Sequence, residues 1–393
     1  MSITNKVGII LLMVIAIVLL PYLGAYFANS GVFPENYFQY PVLGCPEKAG
    51  FSWLIFIAFA LVFLFVIVVY VYPFWFGFKR VPPVKNEKGP EVGFPLWFWL
   101  GLLMWGGTVF VLWTKMSEPK WILNWADLPI FWGFTLMLDG IVYKRTGGQS
   151  IVSKVPQELI GIGTASVSGW LLFEWLNFFV EDNWLYPKGD MLPVNEFVLY
   201  AVMGTSGLLP MAFEWFSLFK TFGKFRHRYS NGPKINLPRW VTTSLLVICL
   251  AGLFLSGFFP NMLFFSIWLS PLIIITVVLE RLDIWTPFNA IKKGDWSPIM
   301  IFGLTYFVQG MLLESWNYFS GVYIEGELMT FNPAYWSYSI PYVNRYHFGE
   351  MPVLGLLGYV PFGVYCWIWW ITYGFMLNVP SRYYNYKMED GPF

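Results

Sequence analysis

The sequence predicts an all-α integral membrane protein of about ten transmembrane helices, with a duplicated parallel three-helix unit in its second half. Three observations carry that reading: the composition, the spacing of the apolar runs, and the placement of Lys and Arg. Of the 393 residues 57% are hydrophobic and 12% charged, whereas a soluble domain carries about 25% charge. The 22 Trp, 23 Tyr and 39 Phe suit a membrane boundary, because Trp and Tyr rings are apolar while their N–H and O–H groups seek wet partners.

The apolar runs come in lengths near the ~20 residues that cross a bilayer. The first, 7–28, follows Lys6 and lacks a clean small-residue cleavage site, so it reads as a retained helix rather than a signal peptide. The others fall at 51–76, 95–114, 128–143, 158–180, 194–218, 240–258, 262–280, 297–318 and 352–377. The 128–143 run is short, and Pro260-Asn261 makes a tight turn between two runs. In lipid each segment must pair its own backbone groups, which favours helices. The alternation of a membrane β-barrel is missing.

Charge placement tests the map independently. With the N-terminus cytoplasmic, 19 of the 24 Lys and Arg fall in inner segments, including Lys85, Lys88, Lys387 and the cluster Lys220, Lys224, Arg226 and Arg228. Only Lys48, Lys115, Lys120, Lys188 and Arg345 fall outside. That asymmetry follows the positive-inside rule and predicts a cytoplasmic-type inner membrane with both termini cytoplasmic. The cluster at 219–239 is explained by topology and anionic lipid.

The chain divides at 1–127 (three leading helices with aromatic outer loops), 128–218 (a first three-helix unit), 219–261 (a basic inner loop and linking helix) and 262–393 (a second unit with a long aromatic outer loop). The two units share a skeleton. Leu138-Asp139 corresponds to Leu282-Asp283, and Glu174-x-x-Asn177 to Glu314-x-x-Asn317. Trp184-x-Tyr186 corresponds to Trp336-x-Tyr338, Glu196 to Glu350, and the stretch Gly207 through Pro210 to Gly358 through Pro361. Both units begin on the same side, so the linking helix makes them parallel repeats.

Glu174 and Asn177, like Glu314 and Asn317, stand three apart and share a helix face near the outer surface. A carboxylate there needs a proton, a cation or hydrogen-bond donors to offset its desolvation. Two readings follow. The pairs tie down the outer loops, with Trp184, Tyr186, Trp336, Tyr338, Glu196 and Glu350 as anchors, or they form a polar site for a proton, cation or headgroup. Glu214 lies deep in the sixth helix where the second unit has Tyr365, and an intramembrane carboxylate is a functional candidate. Asp139 and Asp283 lie near Lys144, Arg145 and Arg281, which predicts ion pairing at the inner interface.

His227 and His347, the two histidines, both lie outside the helices, so no b-type haem held by paired helix histidines is expected. No metal-site spacing, P-loop or GxSxG occurs, and Cys45, Cys249 and Cys366 form no disulfide framework. The net charge of +1 gives no nucleic-acid signal. The composition is compatible with a bound lipid.

Three functions fit these residues. The leading one is a subunit of a larger membrane complex, docking membrane or periplasmic partners through its aromatic loops and helices. The others are a proton- or cation-coupled transporter using the paired carboxylates, and an intramembrane lipid or isoprenoid enzyme with Glu214 as acid. Whether the chain is an enzyme stays open at this point.

Overall fold

A computed structural model describes the chain apart from residues 46–47, 83–89, 182 and 385–393. Lys85, Lys88 and Lys387 therefore lie outside the described residues. The protein is mostly helical, with long helices α1 (Ile3–Ala28), α2 (Trp53–Val71), α3 (Leu96–Trp113), α4 (Asp127–Arg145), α5 (Pro156–Asn177), α6 (Val194–Thr205), α7 (Leu208–Lys220), α8 (Arg239–Ser256), α9 (Ser266–Arg281), α10 (Ser297–Ser320) and α11 (Tyr359–Met376). Pro156 and Pro298 sit in the first turns of α5 and α10, where the missing N–H costs nothing. α6 and α7 form one apolar segment interrupted at Ser206–Gly207.

Seven of these segments are long and apolar enough to cross a membrane: α1, α2, α3, α5, α6 with α7, α8 and α10. The remaining three deviate for separate reasons. α4 carries Asp127, Asp139, Lys144 and Arg145. α9 has only 16 residues, about 24 Å of rise. α11 is rich in Trp and Tyr, whose polar atoms lower its hydropathy.

Tertiary hydrogen bonds gather the helix ends at two opposite faces. At one, Lys6 donates to the Leu282 carbonyl, Lys79 N–H to Asn231 at 2.8 Å, and Trp296 N–H to Tyr229 at 3.0 Å. At the other, Lys48 donates to the Val180 carbonyl at 2.9 Å, Asn261 to Glu181 at 3.3 Å, and Ser52 N–H to Tyr342 at 3.0 Å. The second face carries the aromatic loops. It also carries three short antiparallel ladders: β1 (Trp184–Leu185) with β4 (Ser337–Tyr338), β2 (Gly321–Ile324) with β3 (Glu327–Thr330), and β5 (His347–Phe348) with β6 (Met351–Pro352).

The core lies among α5, α7, α9, α10 and α11, where Phe213, Phe216, Phe302, Trp367 and Trp370 are fully buried. α2 is different: none of its 19 residues is buried. Small residues set the closest helix approaches, as expected where lipid supplies no drive for helices to associate. A Cβ on Gly101 would meet the Gly133 carbonyl at 2.4 Å, and one on Gly133 would meet the Trp105 nitrogen at 2.6 Å. α3 and α4 thus touch backbone to backbone.

Gly133→Val should lower the thermal unfolding midpoint of the detergent-solubilised protein by an amount equivalent to about 1–3 kcal/mol or more. Gly106→Val makes the same change of residue in α3, at a position with no neighbour within 4 Å, and should leave the midpoint nearly unchanged. Equal effects would show that the close α3–α4 contact does not set stability.

Candidate functional site

Two buried carboxyls at the loop face organise the site. Glu174 and Asn177 occupy the last turns of α5 and are 6% and 1% exposed. Asn177 donates through Nδ2 to the Trp184 carbonyl at 3.0 Å and accepts from Asn183 N–H at 2.8 Å. Glu174 accepts from Trp184 Nε1 at 3.3 Å and from the Tyr186 hydroxyl. The amide therefore pins the loop backbone while the carboxyl pins its aromatic side chains.

On α10, Asn317 makes the corresponding pair of backbone bonds. Its Nδ2 donates to the Trp336 carbonyl at 2.7 Å, and its Oδ1 accepts from Trp336 N–H at 3.0 Å. Glu314, fully buried, accepts at Oε1 from Tyr338 at 2.8 Å, Trp336 Nε1 at 3.4 Å and Tyr359 at 2.7 Å. Gly310, one turn earlier, leaves room for Tyr359: a Cβ there would meet its ring at 2.5 Å. The two loops then join directly, because Trp184 pairs with Tyr338 and Leu185 with Ser337 in the β1–β4 ladder.

Beneath this ladder lies a cavity of about 360 Å3, walled by α4, α5, α6, α9, α10 and α11 together with the loops, Phe59 of α2 and the first turn of α7. Its volume is at the low end of ordinary ligand pockets, about 300–1,000 Å3. Phe173, Trp268 and Phe362 form its aromatic core, with ring centroids 5.7, 4.8 and 5.4 Å apart, and Trp184 packs on Trp268 at 5.3 Å. All four aromatic loop anchors, Trp184, Tyr186, Trp336 and Tyr338, face it, as does Tyr359. Glu174 and Glu314 stand behind these rings, not on the wall.

The structure places the other candidates apart. Glu214 is fully buried on α7, off the cavity wall, and its carboxyl is within hydrogen-bonding reach of the Asp139 carboxyl, a contact that needs one proton between the two acids. It lies beside Asp139, with Arg382 and Tyr383 also nearby. Asp139 is also fully buried, and the ion pair expected for it with Lys144 or Arg145 is replaced. It accepts from Trp97 Nε1 at 2.8 Å, Ser150 Oγ at 2.8 Å and Val152 N–H at 3.0 Å. Lys144 instead lies 4.1 Å over the Phe94 ring, and Arg145 donates to Thr221 at 2.7 Å. One turn and a half inside α4, Asp139 is too deep to meet those helix-end cations. Asp283 is exposed with φ +52°, and Arg281 donates to Thr243 at 2.7 Å.

Glu196 is exposed in the first turn of α6. Glu350 differs from its expected counterpart: it opens no helix but sits in the turn between β5 and β6. There it accepts from Tyr335 at 2.5 Å and Tyr323 at 3.1 Å. Burial, then the Glu350 charge, raises the Tyr323 phenol from its ordinary 10.0 to about 12. One residue escaped the sequence reading. Asp127, at the first turn of α4, is the one ionisable acid or base other than Tyr and Cys on the cavity wall among the described residues. Its place between an outer loop and a short apolar run gave no signal of that.

Asn317→Ala and Asn177→Ala should each cost about 1–3 kcal/mol by leaving buried backbone groups of the loops unpaired. A double-mutant thermal cycle should show coupling, since the two loops share one ladder; strict additivity would mean that the loops are independent. Raising the pH should also act on the β2–β3 hairpin. A raised phenol pKa gives stability that is complete below pH 10.0 and lost as pH rises through about 12. Site-resolved tyrosine NMR, assigned with Tyr323→Phe, should find this phenol titrating late, and Glu350→Gln should bring it down; a titration at the ordinary value would contradict the assignment. Comparison with protein-family models, curated proteins and solved structures gives no match, so functional inference rests on this geometry.

Proposed function

We propose that the chain is a membrane protein that takes an elongated apolar molecule of the lipid or isoprenoid class into the cavity beneath the paired loops. The observation that carries this is the wall itself: aromatic and aliphatic side chains, a few polar groups, and a roof of Trp and Tyr side chains. Such a site suits a ligand that is mostly hydrocarbon, held by shape with little hydrogen bonding.

The finer topology belongs to the same reading. Helix ends that alternate between two faces support ten crossings, and the Lys and Arg asymmetry supports an inner-membrane orientation with both termini cytoplasmic. The matching roles of Glu174/Asn177 and Glu314/Asn317, each carboxyl accepting from a Trp-x-Tyr pair and each amide bonding loop backbone, support two parallel copies of a three-helix unit, facing each other across the cavity. Because those carboxyls accept from loop donors, loop anchoring is better supported than ion transport.

A second reading, a subunit that docks other membrane or periplasmic proteins, is favoured by α2, which has no buried residue and keeps Leu54, Leu61, Leu64 and Phe65 more than half exposed.

The test is purification of the full chain in mild detergent, with mass spectrometry of everything that co-purifies. A lipid or isoprenoid should accompany the protein at about one per chain and be lost in Leu313→Trp, which fills the cavity. Equal retention by wild type and variant would sink the proposal. A stoichiometric protein partner without a cavity lipid would install the second reading.

A further inference from the structure

We propose that Asp127 is an acid that protonates a carbon–carbon double bond of the molecule held in the cavity. The inference rests on the cavity-binding reading above and names the chemistry of that site. A ligand matched to this wall is nearly all hydrocarbon, and the group a hydrocarbon offers to an acid is its double bond.

The geometry concentrates on one side chain. Asp127 is partly exposed and lies on the cavity wall, while Glu174, Glu314, Glu214 and Asp139 do not. Its position is fixed from two directions. The buried Tyr200 hydroxyl accepts from the Asp127 backbone N–H at 3.2 Å and also reaches the carboxyl. Gly204 lets α6 come close, since a Cβ there would stand 3.0 Å from that of Asp127. A positioned carboxyl of this kind acts as a general acid when a basic carbon lies within reach.

The walls suit the species formed. Protonation breaks the Asp127 O–H bond and forms a C–H bond at one alkene carbon. The π pair is consumed, leaving a carbocation on the neighbouring carbon and a carboxylate on Asp127. Ring faces attract positive charge, Trp most strongly, and Trp184, Trp268, Trp336 and Phe131 share the wall with Asp127. The same carboxylate then takes a proton from a carbon next to the cation. The C–H pair re-forms a double bond and Asp127 regains its proton, so no oxidant or second reactant is required. The outcome is double-bond migration, or exchange where the original bond returns.

The experiment uses the full-length protein in detergent micelles with the acyclic polyene geranylgeraniol as probe, transferred to D2O. Binding is read by Trp fluorescence and deuterium uptake into the polyene by mass spectrometry. Wild type should bind and incorporate deuterium. Asp127→Asn should bind comparably with uptake reduced about 100-fold or more, the scale of a lost general acid. Asp127→Glu, which keeps the acid on a longer arm, should retain measurable uptake and covers the case in which the amide does not fold. Binding by wild type without uptake above the protein-free rate would overturn the acid role, as would equal uptake by Asp127→Asn. Weaker binding by that variant with no uptake by either protein would reduce Asp127 to a binding residue and overturn it likewise. Failure of wild type to bind the polyene would instead overturn the cavity-binding reading.

Discussion

A buried carboxyl that accepts from loop aromatic groups is the interaction on which the loop face depends. Removing Glu174 or Glu314 from water is costly unless donors replace the lost hydration. The helices supply none, since their own N–H groups are already engaged. The donors come from the loop side chains of Trp184, Tyr186, Trp336 and Tyr338, with the Tyr359 hydroxyl added from the start of α11, and recruiting them folds the loops onto the helix ends. Asn177 and Asn317 complete the arrangement by satisfying loop backbone that would otherwise be unpaired under a protein roof. Each Glu-x-x-Asn therefore ties both backbone and side chains of one loop.

The cavity follows from that constraint. Loops held by their aromatic donors must present ring faces toward the bundle, and rings cannot pack to completion against helices spaced by Trp268, Phe173 and Phe362. Glycines act on the same geometry. Gly310 and Gly169 admit Tyr359 and Trp369 at distances a side chain would forbid or strain. The wall thus comes from acids, amides and glycines one shell behind it.

Much of this was legible in the residues, and the physics says why. A spacing of three on a helix brings Glu and Asn to one face regardless of context, and a Trp-x-Tyr segment advertises donors. Helices appeared at every apolar run because lipid leaves a backbone few alternatives. What escaped depends on which surfaces meet. Asp127 is on the wall because α4, α5 and α6 converge there. Asp139 accepts from Val152 N–H in the first turn of the short helix Ile151–Lys154 instead of pairing with a cation. Glu350 lies in a hairpin, since the chain between Tyr338 and Tyr359 has room to turn twice before α11 begins. None of these can be read from spacing along one strand of sequence.

The β1–β4 ladder joins segments that are synthesised far apart: Trp184 emerges well before its partner Tyr338, with α6 through α10 between them. Closing so long a stretch of chain carries an entropic cost that is met only after the intervening helices are in place. Neither loop completes the roof alone: Trp184 and Tyr186 bind Glu174 on one side, Trp336 and Tyr338 bind Glu314 on the other, and the ladder joins the two halves. The roof of the cavity is therefore the most non-local part of the fold, present only where residues 184–185 and 337–338 have come together.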